Sequence, residues 1–230
     1  MALFVYDTFT DTDNVTIGSH TGETGATWTE SSAGSNATLD PKIASNALVA
    51  GESSATNAIW LASGTPPSAD YPVRGYVETA SGLRAGYLGI CGRFIGASGN
   101  GYALGIEFST GNVACFRFDS GGAYIEATKA LGGGIGADTY MLLLEFSGTT
   151  VTGKVQRASD SNWLDGADGS WSATEVVAVT GTAAEYTAAG TAGIWFSTGP
   201  ANASLTRIEA GDAGGGGSST GAAAHYYRQS

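Results

Sequence analysis

The sequence predicts an all-β protein built as an antiparallel β-sandwich, and three observations lead there. Apolar residues alternate with small or polar ones over short stretches, which is the period of a strand. Nowhere does an apolar i, i+3, i+4, i+7 pattern run for three turns, so helix should be minor. Thirty-six glycines against 5 prolines, with Ala, Ser and Thr filling the spaces between apolar stretches, suit short strands joined by tight turns. At 230 residues and 42% hydrophobic content, the chain is long enough to bury a sizeable core.

Taken in order, Leu3–Thr8 reads as the first strand, followed by a carboxylate-rich turn over 7–14 and a loop from Gly18 to Gly25. Trp28, Leu39 and 47–50 mark short strands, 58–62 is the clearest early one, and Gly64-Thr65-Pro66-Pro67-Ser68 breaks the pattern. Alternation resumes at 71–79. A long apolar strand follows over 83–95, punctuated by Gly86, Gly89 and Gly92, which mark bulges or close packing.

The centre of the chain is a hairpin, Tyr102–Phe118, turning at Ser109-Thr110-Gly111-Asn112. Tyr102, Leu104, Ile106 and Phe108 share one face of its first strand. In the second, Ala114, Phe116 and Phe118 alternate with Val113, Cys115 and Arg117, so one face is large and apolar and the other is mixed. A hairpin cannot stand alone in water, and a second sheet is expected over its apolar face. Beyond it, 124–129 is a strand. The glycine-rich loop 131–136 leads into another strand and lacks a Lys-Ser or Lys-Thr pair, which argues against a phosphate cradle. Residues 141–146 are apolar on both faces, as at the centre of a buried sheet, and turn at 147–149 into 150–157, with Val151 and Val155 inward. A polar loop over 159–171 carries two tryptophans, and strands are expected at 175–180, 190–197 and 204–210. The domain thus spans 1–210. From Gly211 the composition becomes that of a flexible Gly/Ser linker and C-terminal tail, 211–230.

Ten Lys and Arg face 21 Asp and Glu, a formal charge of −11. Without a basic cluster, nucleic acid is not an expected partner, and an acidic surface disfavours anionic membranes. No stretch approaches the ~20 apolar residues of a membrane span, and the opening residues lack the basic and apolar regions of an export signal. Cys91 and Cys115 lie on strands separated by the 102–108 strand, on the order of 10 Å apart, too far for a disulfide. Two buried, reduced thiols are expected, which fits synthesis in a reducing cytoplasm.

Residues able to do chemistry are sparse. The histidines are His20, in a Gly/Thr loop, and His225, in the tail, so a Ser-His-Asp or Cys-His arrangement would lack a firmly held base. No catalytic residue and no cofactor is assigned. Calcium is the one metal to weigh, because oxygen ligands gather at Asp160, Asn162, Asp165 and Asp168 and again at Asp7, Asp11 and Asp13. The alternative is that these are turn residues bonding their own backbone. Trp163 and Trp171, with Tyr186 nearby in sequence, are candidates for an aromatic platform under a sugar ring, or else packing caps on a sandwich edge. In the tail, His225, Tyr226, Tyr227 and Arg228 form a candidate anchor for a partner's groove.

Three stretches together resemble the concanavalin A-like, or laminin-G-like, jelly roll: the opening Tyr6-Asp7-Thr8-Phe9 with Trp28, the pair Gly101-Tyr102-Ala103-Leu104 and Val113-Ala114-Cys115-Phe116, and the ending Gly190-Thr191-Ala192-Gly193-Ile194-Trp195 with Ile208-Glu209. The resemblance covers about residues 1–210 and is one of fold. It implies two curved sheets packed face to face, in a group that includes lectins, β-glucan hydrolases and bacteriophage virion proteins. The hydrolases carry Glu-x-Asp-x-x-Glu on one strand. Here Glu107 and Glu145 each stand without the rest of that set, whereas glycoside hydrolysis ordinarily needs two carboxylates. The leading expectation is therefore a non-enzymatic virion structural protein of a tailed bacteriophage, a capsid decoration or fibre-like tail component. It would be made in the host cytoplasm and would associate with itself and with other virion proteins. The alternative is a carbohydrate-binding module that recognises host surface glycans.

Overall fold

A computed structural model describes residues 2–31, 41–50, 58–80, 86–95, 99–119, 122–132, 134–197 and 203–211. Of the expected 211–230 tail, Gly211 pairs with Leu3 at the end of the last strand, and residues 212–230, with the candidate anchor His225, Tyr226, Tyr227 and Arg228, lie outside the described residues, as does Leu39. The strands, in chain order, are β1 (Leu3–Asp7), β2 (Trp28–Glu30), β3 (Lys42–Ile43), β4 (Leu48–Val49), β5 (Ala58–Ala62), β6 (Pro72–Thr79), β7 (Tyr87–Ile95), β8 (Asn100–Glu107) and β9 (Asn112–Asp119). They continue with β10 (Gly122–Ala130), β11 (Thr139–Ser147), β12 (Thr150–Arg157), β13 (Trp163–Leu164), β14 (Trp171–Ser172), β15 (Val179–Thr182), β16 (Thr191–Ser197) and β17 (Ala203–Gly211). Among the described residues the helical content is one 3-10 turn, Ile17–Ser19.

All pairings are antiparallel, and they build two sheets. One runs β14-β13-β12-β11-β6-β17-β4-β3, with β1 also on β17 and β15 also on β12; the other runs β10-β9-β8-β7-β16-β5-β2. The expected all-β antiparallel sandwich is therefore what forms. Its core holds Val73, Val77, Leu142, Leu144, Val151 and Val155 from the first sheet against Leu88, Ile90, Leu104, Ile106, Val113 and Cys115 from the second.

The expected central hairpin forms, with Glu107 opposite Asn112, but its faces are used differently from the expectation. The first strand turns Tyr102, Leu104 and Ile106 towards the other sheet, as alternation requires. The large apolar face of β9 points away: Phe116 and Phe118 join Ile59, Cys91, Phe94, Ala103, Ala114 and Trp195 in a separate cluster on the outer face of the seven-stranded sheet. The reason is the pairing itself: directly opposed residues share a face, so Arg117, Cys115 and Val113, opposite Tyr102, Leu104 and Ile106, turn inward and Phe116 and Phe118 turn out, opposite the small Ala103 and Gly101. A Cβ on Gly105 would come 2.8 Å from the Trp195 ring. That bare backbone lets Trp195 lie flat, stacked on Tyr87 at 5.0 Å and meeting Phe116 edge-on at 4.7 Å. The two free cysteines are buried, with β8 between their strands and their side chains on opposite faces of the sheet.

Two further expectations shift. The strand expected at 175–180 forms at Val179–Thr182: Ala178 N still bonds β12 at Gly153 O, but before it Val177 O turns to a different partner, Gly166 N. The loop expected over 159–171 contains a small hairpin, β13 with β14, which extends the first sheet from β12.

One residue ties the ends of several strands together. Between Gly92 and Ile95 the β7–β8 register slips, and Arg93 takes φ +51. A bulge of this kind reverses the alternation, so Arg93 turns inward while Phe94 turns out. Arg93 is fully buried and its guanidinium lies 4.6 Å from the Phe146 ring. That ring occupies the space a Cβ on Gly92 would fill, 2.6 Å away. A buried cation is costly unless its charge and N–H groups are all met. Nε donates to Ala69 O at 2.8 Å, one Nη to Gly148 O at 2.8 Å, and the other pairs with Asp70 at 2.5 Å. Asp70 in turn accepts from Gly148 N. The backbone N of Arg93 donates to Tyr71 Oη, which donates to Gly190 O.

Arg93→Met, which keeps volume but no donor, should lower the unfolding free energy by about 3 kcal/mol and Tm by about 6–12 °C. Urea and thermal melts check this, and a loss below about 1 kcal/mol would show that the clamp is dispensable.

Candidate functional site

The core does not extend to the end of the seven-stranded sheet that carries β9 and β10. There the inward register of β9 delivers Arg117, next along that face after Val113 and Cys115. Opposite it stand Tyr102 on β8 and Tyr124 on β10. Tyr102 is buried, whereas Tyr124 is half exposed, with the Arg117 guanidinium 5.0 Å from its ring centroid. A slip in pairing between Ile125 and Ala127 turns Glu126 to the same side, where its carboxylate lies 3.3 Å from Arg117 Nε. Glu185, from the loop after β15, pairs with Arg117 Nη1.

That loop is pinned by its backbone. Ala183 N donates to Thr149 O at 2.7 Å, Tyr186 N to Tyr102 Oη at 3.3 Å, and Gly190 O accepts from Tyr71 Oη at 2.5 Å. Arg93 reaches Tyr186 O at 3.4 Å. The side chains of Glu185 and Tyr186 are thereby held over β9. The Tyr186 ring packs 5.9 Å from that of Tyr102, and its hydroxyl bonds Asp119; burial, with that carboxylate second, raises its pKa above the ordinary tyrosine value. Burial works against the charge on Arg117, but Glu185 and Glu126 outweigh it and raise the guanidinium's pKa further. The result is a half-exposed aromatic ring with a cation against one face, beside carboxylates fixed as hydrogen-bond acceptors.

The residues singled out in the sequence fall in different places. Trp163 is buried on β13. Trp171 is half-buried, donates from Nε1 to Gly132 O at 3.0 Å, and carries the Arg157 guanidinium 4.4 Å over its ring. Tyr186 belongs to the Arg117 cluster. Among the described residues no ring contact joins Tyr186 to either tryptophan: Tyr186 packs on Tyr102, and Trp171 on Tyr140. Arg117, Tyr124, Glu126 and Glu185 are not among the candidates that the sequence offers. No local signal marks them, because alternation alone leaves open whether the face with Arg117 or the face with Phe116 and Phe118 turns inward.

The two carboxylate groups weighed for calcium serve other partners. Asp7 and Asp11 bond His20, and Asp13 accepts from Ser45 N. Asp160 pairs with Arg157, Asp165 accepts from Ala167 N, and Asp168 accepts from Ser170 N. Among the described residues no group of three or more His, Cys, Asp or Glu is placed to hold a metal. Glu107 and Glu145 do not come together. Glu107 points to the outer face of the seven-stranded sheet and accepts from Ser109 and Thr110. Glu145 points to the outer face of the other sheet, where the Lys154 ammonium stands between it and Glu175 at 2.6 and 2.7 Å.

No protein-family model matches the sequence, and neither does any curated protein. Solved structures do match in fold. A carbohydrate binding module, CBM66 from Bacillus subtilis, aligns with TM-score 0.54 at 15% identity, over 81% of this chain and 92% of that one. A Bacillus subtilis protein of unknown function with a galectin-like fold aligns with TM-score 0.53 at 10% identity, over 92% and 96%. The VIP36 exoplasmic/lumenal domain, in a Ca2+/Man2-bound form, aligns with TM-score 0.53 at 8% identity, over 90% of each chain. The chain therefore has the jelly-roll sandwich of the concanavalin A-like group.

Burial separates the two tryptophans energetically. Trp163→Ala should cost about 3 kcal/mol or more. Trp171→Ala should cost roughly half as much, since half-buried area is lost. Denaturant melts of both variants decide this, and equal costs would contradict the packing described.

Proposed function

We propose that the domain is a non-catalytic carbohydrate-binding module and that it binds glycan at the Tyr124–Arg117–Glu185 cluster. The observation that carries this reading is the half-exposed Tyr124 ring, backed on one face by a guanidinium and flanked by carboxylates held in place by that same cation. The C–H face of a sugar ring stacks on an aromatic ring, and a fixed carboxylate accepts from two neighbouring hydroxyls. Arg117 orients Glu126 and Glu185 before any ligand arrives, which lowers the ordering cost of binding. The fold is shared with the carbohydrate binding module CBM66 and with the VIP36 domain in its Ca2+/Man2-bound form, and this supports the sugar class over the assembly reading.

The non-catalytic part of the proposal follows from the carboxylates. Lys154 fills the space between Glu145 and Glu175, where a scissile bond would have to sit. Glu107 is bound by its own turn. The setting, a virion and its neighbouring proteins, remains a separate proposal that rests on the composition and on the 211–230 linker and arm. The solution mass of the full chain and of residues 1–211 tests it: a trimer or larger that dissociates on truncation supports it, and a monomer in both cases speaks against it.

On a glycan array followed by affinity electrophoresis, Tyr124→Ala and Glu185→Gln should each weaken retention at least about tenfold, a difference of about 1.4 kcal/mol. Their stability should change by no more than about 0.5 kcal/mol. Unchanged retention in both variants, with loss in Trp171→Ala, would move the site to the aromatic platform of Trp163, Trp171 and their neighbours.

A further inference from the structure

A second cluster lies away from this site, in the segment between β1 and β2. His20 is 4% exposed and Asp7 fully buried. His20 Nε2 lies 3.0 Å from Asp7 Oδ1, and His20 Nδ1 lies 3.0 Å from Asp11 Oδ2. Ionised carboxylates only accept hydrogen bonds, and a neutral imidazole has one N–H where an imidazolium has two. Both contacts are therefore hydrogen bonds at once only while the cluster holds the second imidazole proton. The other bonds of Asp7 show what depends on them: it accepts from the Trp28 indole N–H at 2.8 Å and from Phe9 N at 2.7 Å. One buried carboxylate thus joins both ends of the segment from 8 to 27, and His20 ties its middle to the same point. The segment also buries Phe9, at φ +53, and Ile17.

We propose that Asp7, His20 and Asp11 form a proton-operated latch that holds the 8–27 segment closed while His20 carries its second proton and releases it when that proton leaves. The surrounding charged groups are engaged elsewhere or stand apart. Glu23 holds Thr8, Asp13 holds Ser45, Lys42 sits on the strand bridged to Thr16, and Glu30 lies on β2.

The sign of the pH response follows from the same contacts. Burial disfavours the charged ring, but Asp11 and Asp7 outweigh it and raise the His20 pKa above its ordinary 6.5. A histidine raised in the folded state adds stability that is fully present below its unfolded value and is lost as pH rises through the folded one. The latch therefore opens on the alkaline side. Towards acid, Asp7, raised mainly by burial, takes up a proton before Asp11, which His20 holds below the ordinary aspartate value.

The test uses the full chain, which has 2 histidines. Long-range nitrogen NMR of the rings, assigned with His225→Gln, is recorded from about pH 6 to about pH 9, with hydrogen exchange of the 8–27 amides alongside. The expected result is a His20 that is still doubly protonated above pH 6.5, the ordinary midpoint of the group. Past its own midpoint, 8–27 protection, corrected for intrinsic exchange, should fall by up to about tenfold per pH unit. In His20→Gln that pH dependence should vanish. If this variant does not fold, Asp11→Asn serves instead and should lower the His20 midpoint and the onset of exchange together. A single-tautomer His20 at neutral pH, protection that ignores its titration, or an unchanged pH dependence in the variant that folds would each overturn the latch.

Discussion

The buried Arg93 is the constraint from which much of the architecture follows. A guanidinium taken out of water has to find partners for its charge and its donors, and this one finds them in three separate connections: Ala69 and Asp70 before β6, Gly148 between β11 and β12, and Tyr186 after β15. Arg93 stands on β7 of the seven-stranded sheet, the β5–β6 and β15–β16 connections cross between the sheets, and the β11–β12 turn belongs to the other sheet. Hydrophobic packing is not directional, so the apolar core alone would bring the sheets together without fixing their ends. The bulge at Arg93 supplies that direction, and it does so by reversing the side-chain alternation of β7. The same reversal sends Phe94 into the outer aromatic cluster.

The candidate site inherits its order from that clamp. Glu185 and Tyr186 lie on a connection without regular structure, which would ordinarily be among the more mobile parts of a fold. Here its backbone is held at Ala183 by the β11–β12 turn, at Tyr186 by Tyr102 on β8 and at Gly190 by Tyr71 just before β6. Arg117 then orders the side chains. The sandwich gives up an apolar residue at this inward position and gains a charged, half-open surface. Local departures from the folding pattern of this kind are where function is sought. The His20 cluster is another departure, and it acts on a different segment.

The fold was legible in the sequence because alternation and turn residues are local signals. The 102–118 hairpin, the 141–157 hairpin and the neighbour order of β7, β8 and β9 all follow from them. Which face of β9 meets the core was not legible, because it depends on the Ala103 and Gly105 partners chosen by pairing. The small β13–β14 hairpin escaped notice because two-residue strands carry no period. The site was least legible. Arg117 finds Glu185 across 68 positions and Arg93 finds Asp70 across 23, and no local pattern announces partners that only the topology brings together. His20 shows the same thing: in the sequence it sits in a Gly/Thr loop, and in the fold it is enclosed by Asp7 and Asp11.

The most direct test of the account is a carbon–proton aromatic NMR spectrum of the intact chain, titrated with neutral oligosaccharides drawn from bacterial and plant glycans. The account predicts that one class of sugar shifts the ring signals of Tyr124 and Tyr186 together, with Tyr87 and the tryptophans unmoved. Shifts confined to the Trp171 ring, or no shift with any sugar, would contradict the assignment of this cluster as a glycan site.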